Sequence, residues 1–123
     1  MVKKYLVILV ILQVFALLAV MGCQNPAILV PPDMVGLVKD FQEGADVYHC
    51  LVLVEEDADN NPQYGLAWIR VTESTILTRN GVKVEEAACL LLVTGMRVQV
   101  WFAGPVMESY PVQGYTRRIE IVD

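Results

Sequence analysis

The residues best suited to chemistry lie close together near the C-terminus, in the stretch GPVMESYPVQ. Glu108 supplies an acceptor, Ser109 a hydroxyl, Tyr110 an amphipathic ring and Gln113 an amide, and Trp101 precedes them with a large aromatic surface. Acceptors beside amphipathic rings suit the binding of a ligand better than bond cleavage. The alternative is architectural: Glu108 and Ser109 bond the loop's own backbone, Tyr110 and Pro111 cover the end of the domain, and Trp101 serves as packing. Gly104-Pro105 is turn chemistry. Tyr110-Pro111 biases Tyr110 towards an extended conformation and is open to the cis form.

Catalytic constellations are harder to find. His49 is the only histidine and neighbours Cys50, but successive strand residues point to opposite faces, which separates the two. Arg117 and Arg118 suggest an anion site and are separated by the same rule. No GxSxG, phosphate-loop or HExxH pattern occurs. Asp57, Asp59 and Asn61 copy the first three ligand positions of a calcium-binding EF-hand loop. Pro62 then stands where that loop needs glycine, and Trp68 where it needs glutamate, so EEDADNNP reads as a solvated acidic hairpin or an irregular, weak calcium site. With one histidine and no CxxC, no metal centre or cofactor is expected.

The N-terminus carries a different kind of signal. Lys3 and Lys4 precede Leu6–Val20, which is apolar except for Gln13, as in an export signal. Val20-Met21-Gly22-Cys23 resembles a bacterial lipobox, which implies lipidation of the Cys23 sulfur and cleavage before it. Two or more acyl chains anchor stably, since each buried methylene is worth about 0.8 kcal/mol. The alternatives are an uncleaved helix, at the short limit of what spans roughly 30 Å of hydrocarbon, and ordinary secretion. The domain expectation is therefore a lipoprotein signal peptide at 1–22, a Pro-rich lipid-anchored tether at 23–33 and a folded domain at 34–123.

With residues 1–22 removed, seven Lys and Arg face fourteen Asp and Glu, a formal net charge of −7. That excess argues against nucleic acid, whose binding relies on a basic surface releasing counterions. Once Cys23 is lipidated, Cys50 and Cys89 remain, either as two packed thiols or as a disulfide in an oxidising compartment.

Alternation and turn residues give a mainly β fold. Strands are expected at Met34–Phe41, Val47–Glu55, Tyr64–Val71, Met96–Phe102 and Tyr115–Val122. A short fourth piece at Thr75–Arg79 ends in the hairpin signal Asn80-Gly81. Val84–Val93 reads as a short helix, with Glu85 and Glu86 at its positive end and Ala88, Leu91 and Leu92 buried. Along the last strand, Tyr115, Arg117, Ile119 and Ile121 are expected to share one face. This order suits a small five-stranded OB-like barrel with one short helix before the last two strands; an open β-sandwich-like arrangement or an α+β roll is the alternative.

The segment GMRVQVWFAGPVMESYPVQ resembles the signature of the YobA-like family, a domain of unknown function in small exported proteins of Firmicutes. The matching positions run from Gly95 through Val98, Val100–Phe102 and Gly104–Val106 to Glu108–Pro111 and Gln113. Where members often carry an acidic residue, this chain has Ala103. The resemblance implies an exported protein of a one-membrane cell and brings no activity with it. The functional expectation is a non-enzymatic, lipid-anchored binding module facing outside the cytoplasm, held to the membrane by its lipid and binding an envelope protein or small ligand. The alternative is an accessory subunit of an envelope complex with no ligand of its own.

Overall fold

The computed structural model describes residues 30–59 and 61–123. The expected signal peptide, Cys23 and most of the tether lie outside these described residues. Pro32–Asp123 form one compact unit.

Among the described residues, seven strands and one helical turn follow in the order β1 (Met34–Glu43), β2 (Cys50–Glu56), β3 (Leu66–Val71), β4 (Ile76–Arg79), β5 (Val82–Lys83), α1 (Ala88–Leu91), β6 (Arg97–Phe102) and β7 (Val112–Val122). β1, β2 and β3 form an antiparallel meander. β6 runs antiparallel to both β1 and β7, and β3 pairs in parallel with β7 between Ala67↔Val112 and Arg70↔Tyr115. That last ladder closes β1-β2-β3-β7-β6 into a five-stranded barrel. Closure is the physical reason an open sheet loses: these apolar strands would otherwise expose unpaired edges.

The interior is built by alternation. Val52 and Val54 from β2, Ala67 and Ile69 from β3, Val98 and Val100 from β6, and Ile119 from β7 are all fully buried. Burying each Val or Ile side chain is worth about 1.5–3 kcal/mol. β4 lies outside the closed ring, parallel to β7 from Ile76↔Arg118 to Arg79↔Ile121, and turns back into β5. Asn80 and Gly81 make that turn with φ of 53° and 79°, as their side chains allow.

Three expectations are corrected. β7 carries a register shift against β6, with Trp101 opposite Arg118 but Phe102 opposite Thr116, so Arg117 is the extra residue of a bulge. The alternation therefore changes phase: Thr116 and Ile119 are both buried, while Tyr115 and Arg117 face out. A similar shift at Lys39 turns Phe41 towards the core. The expected ten-residue helix is one turn, Ala88–Leu91, since the Val84 N–H is committed to the Leu77 carbonyl (2.8 Å) and Ala87 is extended. Glu85 and Glu86 precede that turn and do not cap it. β2 begins at Cys50 rather than Val47 and ends at Glu56, which the sequence had placed in the acidic loop.

The Cys50 and Cys89 sulfurs are bonded to each other, with Cα atoms 6.0 Å apart. The bridge ties α1 to the start of β2, across 39 residues of chain.

Candidate functional site

The β2–β3 and β6–β7 connections rise from the same end of the barrel, where β1 begins. Each is held by its own bonds. The Glu56 carboxylate, buried at the end of β2, accepts the N–H groups of Tyr64 (2.7 Å) and Gly65 (3.1 Å) through Oε1. The Glu56 N–H donates to the Gly65 carbonyl at 2.7 Å, which closes the turn. Asp33 fastens β1 to β6: its N–H donates to the Val100 carbonyl (2.8 Å), and its Oδ2 accepts the Phe102 N–H (2.7 Å).

The β6–β7 connection folds on itself. Met107 and Gln113 exchange backbone bonds, N–H to carbonyl, of 2.7 and 3.3 Å. At the tip, the Ser109 N–H donates to the Met107 carbonyl (2.9 Å), the Ser109 hydroxyl donates to the Pro111 carbonyl (2.8 Å), and the Tyr110-Pro111 peptide is cis.

Between the two connections lies a cleft of about 780 Å³, within the range of small-molecule sites. Its floor is aromatic: the Tyr64 ring meets Phe102 edge-on, with centroids 5.3 Å apart. Gly114 makes room for this floor, because a Cβ there would lie 2.9 Å from the Phe102 ring. Burial, and then the Asp33 and Glu56 carboxylates, push the Tyr64 phenol above its ordinary value. Its hydroxyl therefore stays protonated and available as a donor. Glu108 and Arg117 line the walls, and neither side chain makes a hydrogen bond or ion pair among the described residues. The cleft thus presents a phenol, one carboxylate and one guanidinium whose bonding capacity the fold leaves unspent.

Of the five expected loop residues, only Glu108 and Ser109 reach this cleft, and Ser109 is spent on the loop's backbone. Tyr110 is 76% exposed at the tip, with its ring edge beside Gly65 of the β2–β3 turn. Trp101 is buried on the outer face of the sheet, beneath the Arg118 guanidinium at 4.7 Å. Gln113 also faces outward, near Trp68 and Tyr115. Arg117 and Arg118, expected on opposite faces, both point away from the core because the bulge breaks the alternation; Arg117 lines the cleft and Arg118 covers Trp101, and no sequence period encodes that bulge. Tyr64 and Phe102 carried the ordinary marks of strand residues and gave no signal of their own.

The other candidates resolve more simply. Asp57, expected in the acidic loop, is ion-paired with Arg97. Among the described residues no group of three His, Cys, Asp or Glu is placed to hold a metal ion. His49 Nδ1 lies 2.7 Å from Asp46 Oδ1 in the exposed β1–β2 turn. That bond, then the Tyr48 N–H, lowers the Asp46 carboxyl below its ordinary value. Among the described residues no helix is long and apolar enough to cross a membrane.

Strand order and site together define a small closed β-barrel of the OB type whose two loops frame an end cleft. The family model described as "Protein of unknown function (DUF3221)" matches residues 52–123, and the chain belongs to that family. The matched segment contains Tyr64, Phe102, Glu108 and Arg117 of the cleft, whereas Asp33 and Cys50 precede it. No curated protein and no solved structure matches the chain.

Proposed function

We propose that the protein is a YobA-like, lipid-anchored binding module that works outside the cytoplasm and captures its ligand in the end cleft without chemical turnover. One observation carries the reading: the Glu108 and Arg117 side chains stand in the cleft walls without partners among the described residues, while Asp33, Glu56 and Ser109 are bonded into the scaffold. Charged groups that stabilise a fold are generally paired, and a pair of opposite charges left free in a cleft is suited to a ligand bearing both signs. The anchorage rests on the Val20–Cys23 pattern and on the apolar run before it.

A second reading, an accessory subunit that docks through apolar surface, is favoured by Leu90 and Val93, which are 63% and 56% exposed on and after α1. Crosslinking in intact cells separates the two. Capture lost in Glu108→Ala and Arg117→Ala but kept in Leu90→Ser supports the cleft; the reverse pattern supports docking through α1. Cys23→Ser tests the anchor, which predicts loss of acylation and release from the membrane.

A further inference from the structure

The outward faces of β2, β3 and β7 hold a second feature that neither the fold nor the cleft uses. Register aligns Leu51, Arg70 and Tyr115 in one row across the three strands, and Leu53, Trp68 and Gln113 in the next. In β2 the core is fully served by Cys50, Val52 and Val54, so the outward Leu51 and Leu53 are surplus to it. Both are half-buried, as is Trp68, while Tyr115 is 55% exposed. The Arg70 guanidinium lies 5.2 Å from the Tyr115 ring centroid. Two hollows of about 380 and 200 Å³ meet at Leu51, Arg70 and Tyr115. Together they form one shallow groove from the β1–β2 turn to Met107 of the β6–β7 loop.

We propose that this groove binds a neutral glycan chain. Trp68 and Tyr115 stand one row and one strand apart, roughly 8 Å from the strand spacing and the two-residue repeat. Two rings so offset form a stepped platform for the apolar C–H faces of successive sugar rings. The Arg70 guanidinium lies over one face of the Tyr115 ring and Gln113 is level with Trp68 in the register, and the two supply the hydrogen bonds that hydroxyl groups need. Leu51, which lines both hollows, offers contact for apolar substituents such as N-acetyl methyl groups. The same platform would suit stacked bases, but a net charge of −5 for the chain, or −7 after residue 22, opposes a polyphosphate backbone. The groove shares Pro105 and Met107 with the end cleft, but its rings and polar groups are on another face, so the proposal stands whether or not the cleft binds anything.

The test is calorimetric titration of the full chain in detergent with the N-acetylglucosamine hexasaccharide, and in parallel with a deoxythymidine oligonucleotide. The expected result is saturable binding of the sugar and none of the oligonucleotide. Trp68→Ala should weaken the sugar by about tenfold or more, a loss of about 1.4 kcal/mol. Should Trp68→Ala fail to fold, Tyr115→Ala, at a mostly exposed position, gives the same reading. Absence of saturable sugar binding, binding that both variants leave intact, preference for the oligonucleotide, or self-association of the chain through this face each overturns the proposal.

Discussion

Arg118 and Glu120 stand two residues apart on β7 and grip each other, with Arg118 Nη2 donating to Glu120 Oε2 at 2.7 Å. The guanidinium also covers the Trp101 ring, while Glu120 Oε1 accepts the Gly81 N–H at 2.7 Å and Oε2 the Thr78 hydroxyl. One carboxylate thus fastens the β4–β5 hairpin to the barrel. Burial raises the Glu120 carboxyl, but the bonds from Thr78, Gly81 and Arg118 outweigh it and hold the group below its ordinary 4.5. A depressed folded value means that the stabilisation is complete above 4.5 and is lost as pH falls through the folded value. Glu120→Gln should therefore cost about 1–2 kcal/mol at neutral pH, with the difference from the parent shrinking in strong acid. Thermal melts of both proteins from pH 7 to pH 2 check this; a pH-independent difference would sink it.

The disulfide closes a loop of 39 residues that holds β2, β3, the β4–β5 hairpin and the start of α1. Loop entropy at that length corresponds to about 4 kcal/mol. Replacing both Cys50 and Cys89 by Ala should lower stability by roughly that amount, measured by urea denaturation. Intact mass without reductant should be lower than the reduced mass by two hydrogens.

How much of this was legible beforehand depended on whether a feature was periodic. Val98, Val100 and Phe102 alternate along β6 and all three are buried in the core; the strand order and the turn at Asn80-Gly81 followed from equally local signals. The phase of β7 was not legible, because the bulge at Arg117 arises from pairing with β6 and leaves no trace in residue type. The same bulge turns Arg117 into the cleft wall. Glu56 read as loop because acidic residues cluster after it, yet three-dimensional closure of the β2–β3 turn gives its carboxylate two backbone donors. The four-residue extent of α1 likewise reflects tertiary ties, the bond from Val84 to Leu77 and the bridge at Cys89, which overrule the local pattern.

Those two donors yield another prediction. Glu56→Ala leaves the Tyr64 and Gly65 N–H groups without their acceptor in a partly buried turn, at a cost of about 1–3 kcal/mol. Amide exchange should accelerate first at Tyr64 and Gly65 and only later in β6. Uniform acceleration across the barrel would mean that Glu56 supports the whole fold rather than the turn.

Glu108 and Arg117 should behave in the opposite way. Neither side chain has a partner among the described residues, so Glu108→Ala and Arg117→Ala should each leave stability within about 0.5 kcal/mol of the parent. A fall in melting temperature comparable to that of Glu56→Ala would show that these charges belong to the scaffold.

Gly114 tests the cleft floor without touching a polar group. A methyl group there would meet Phe102 Cδ1 at 2.9 Å and Cε1 at 3.0 Å, with Val106 Cγ2 at 3.4 Å behind. The Phe102 ring must then move, and its edge-on contact with Tyr64 moves with it. Overpacking of this kind costs about 1–3 kcal/mol. Gly114→Ala should therefore lower the melting temperature, and the Tyr64 and Phe102 ring resonances should shift in NMR spectra. The Met107–Gln113 backbone bonds lie just before the substituted residue and do not involve its side chain, so their amide protection should persist. Loss of that protection along with the ring shifts would mean that the loop and the cleft floor form one cooperative unit, and that the loop is not held independently by its own bonds.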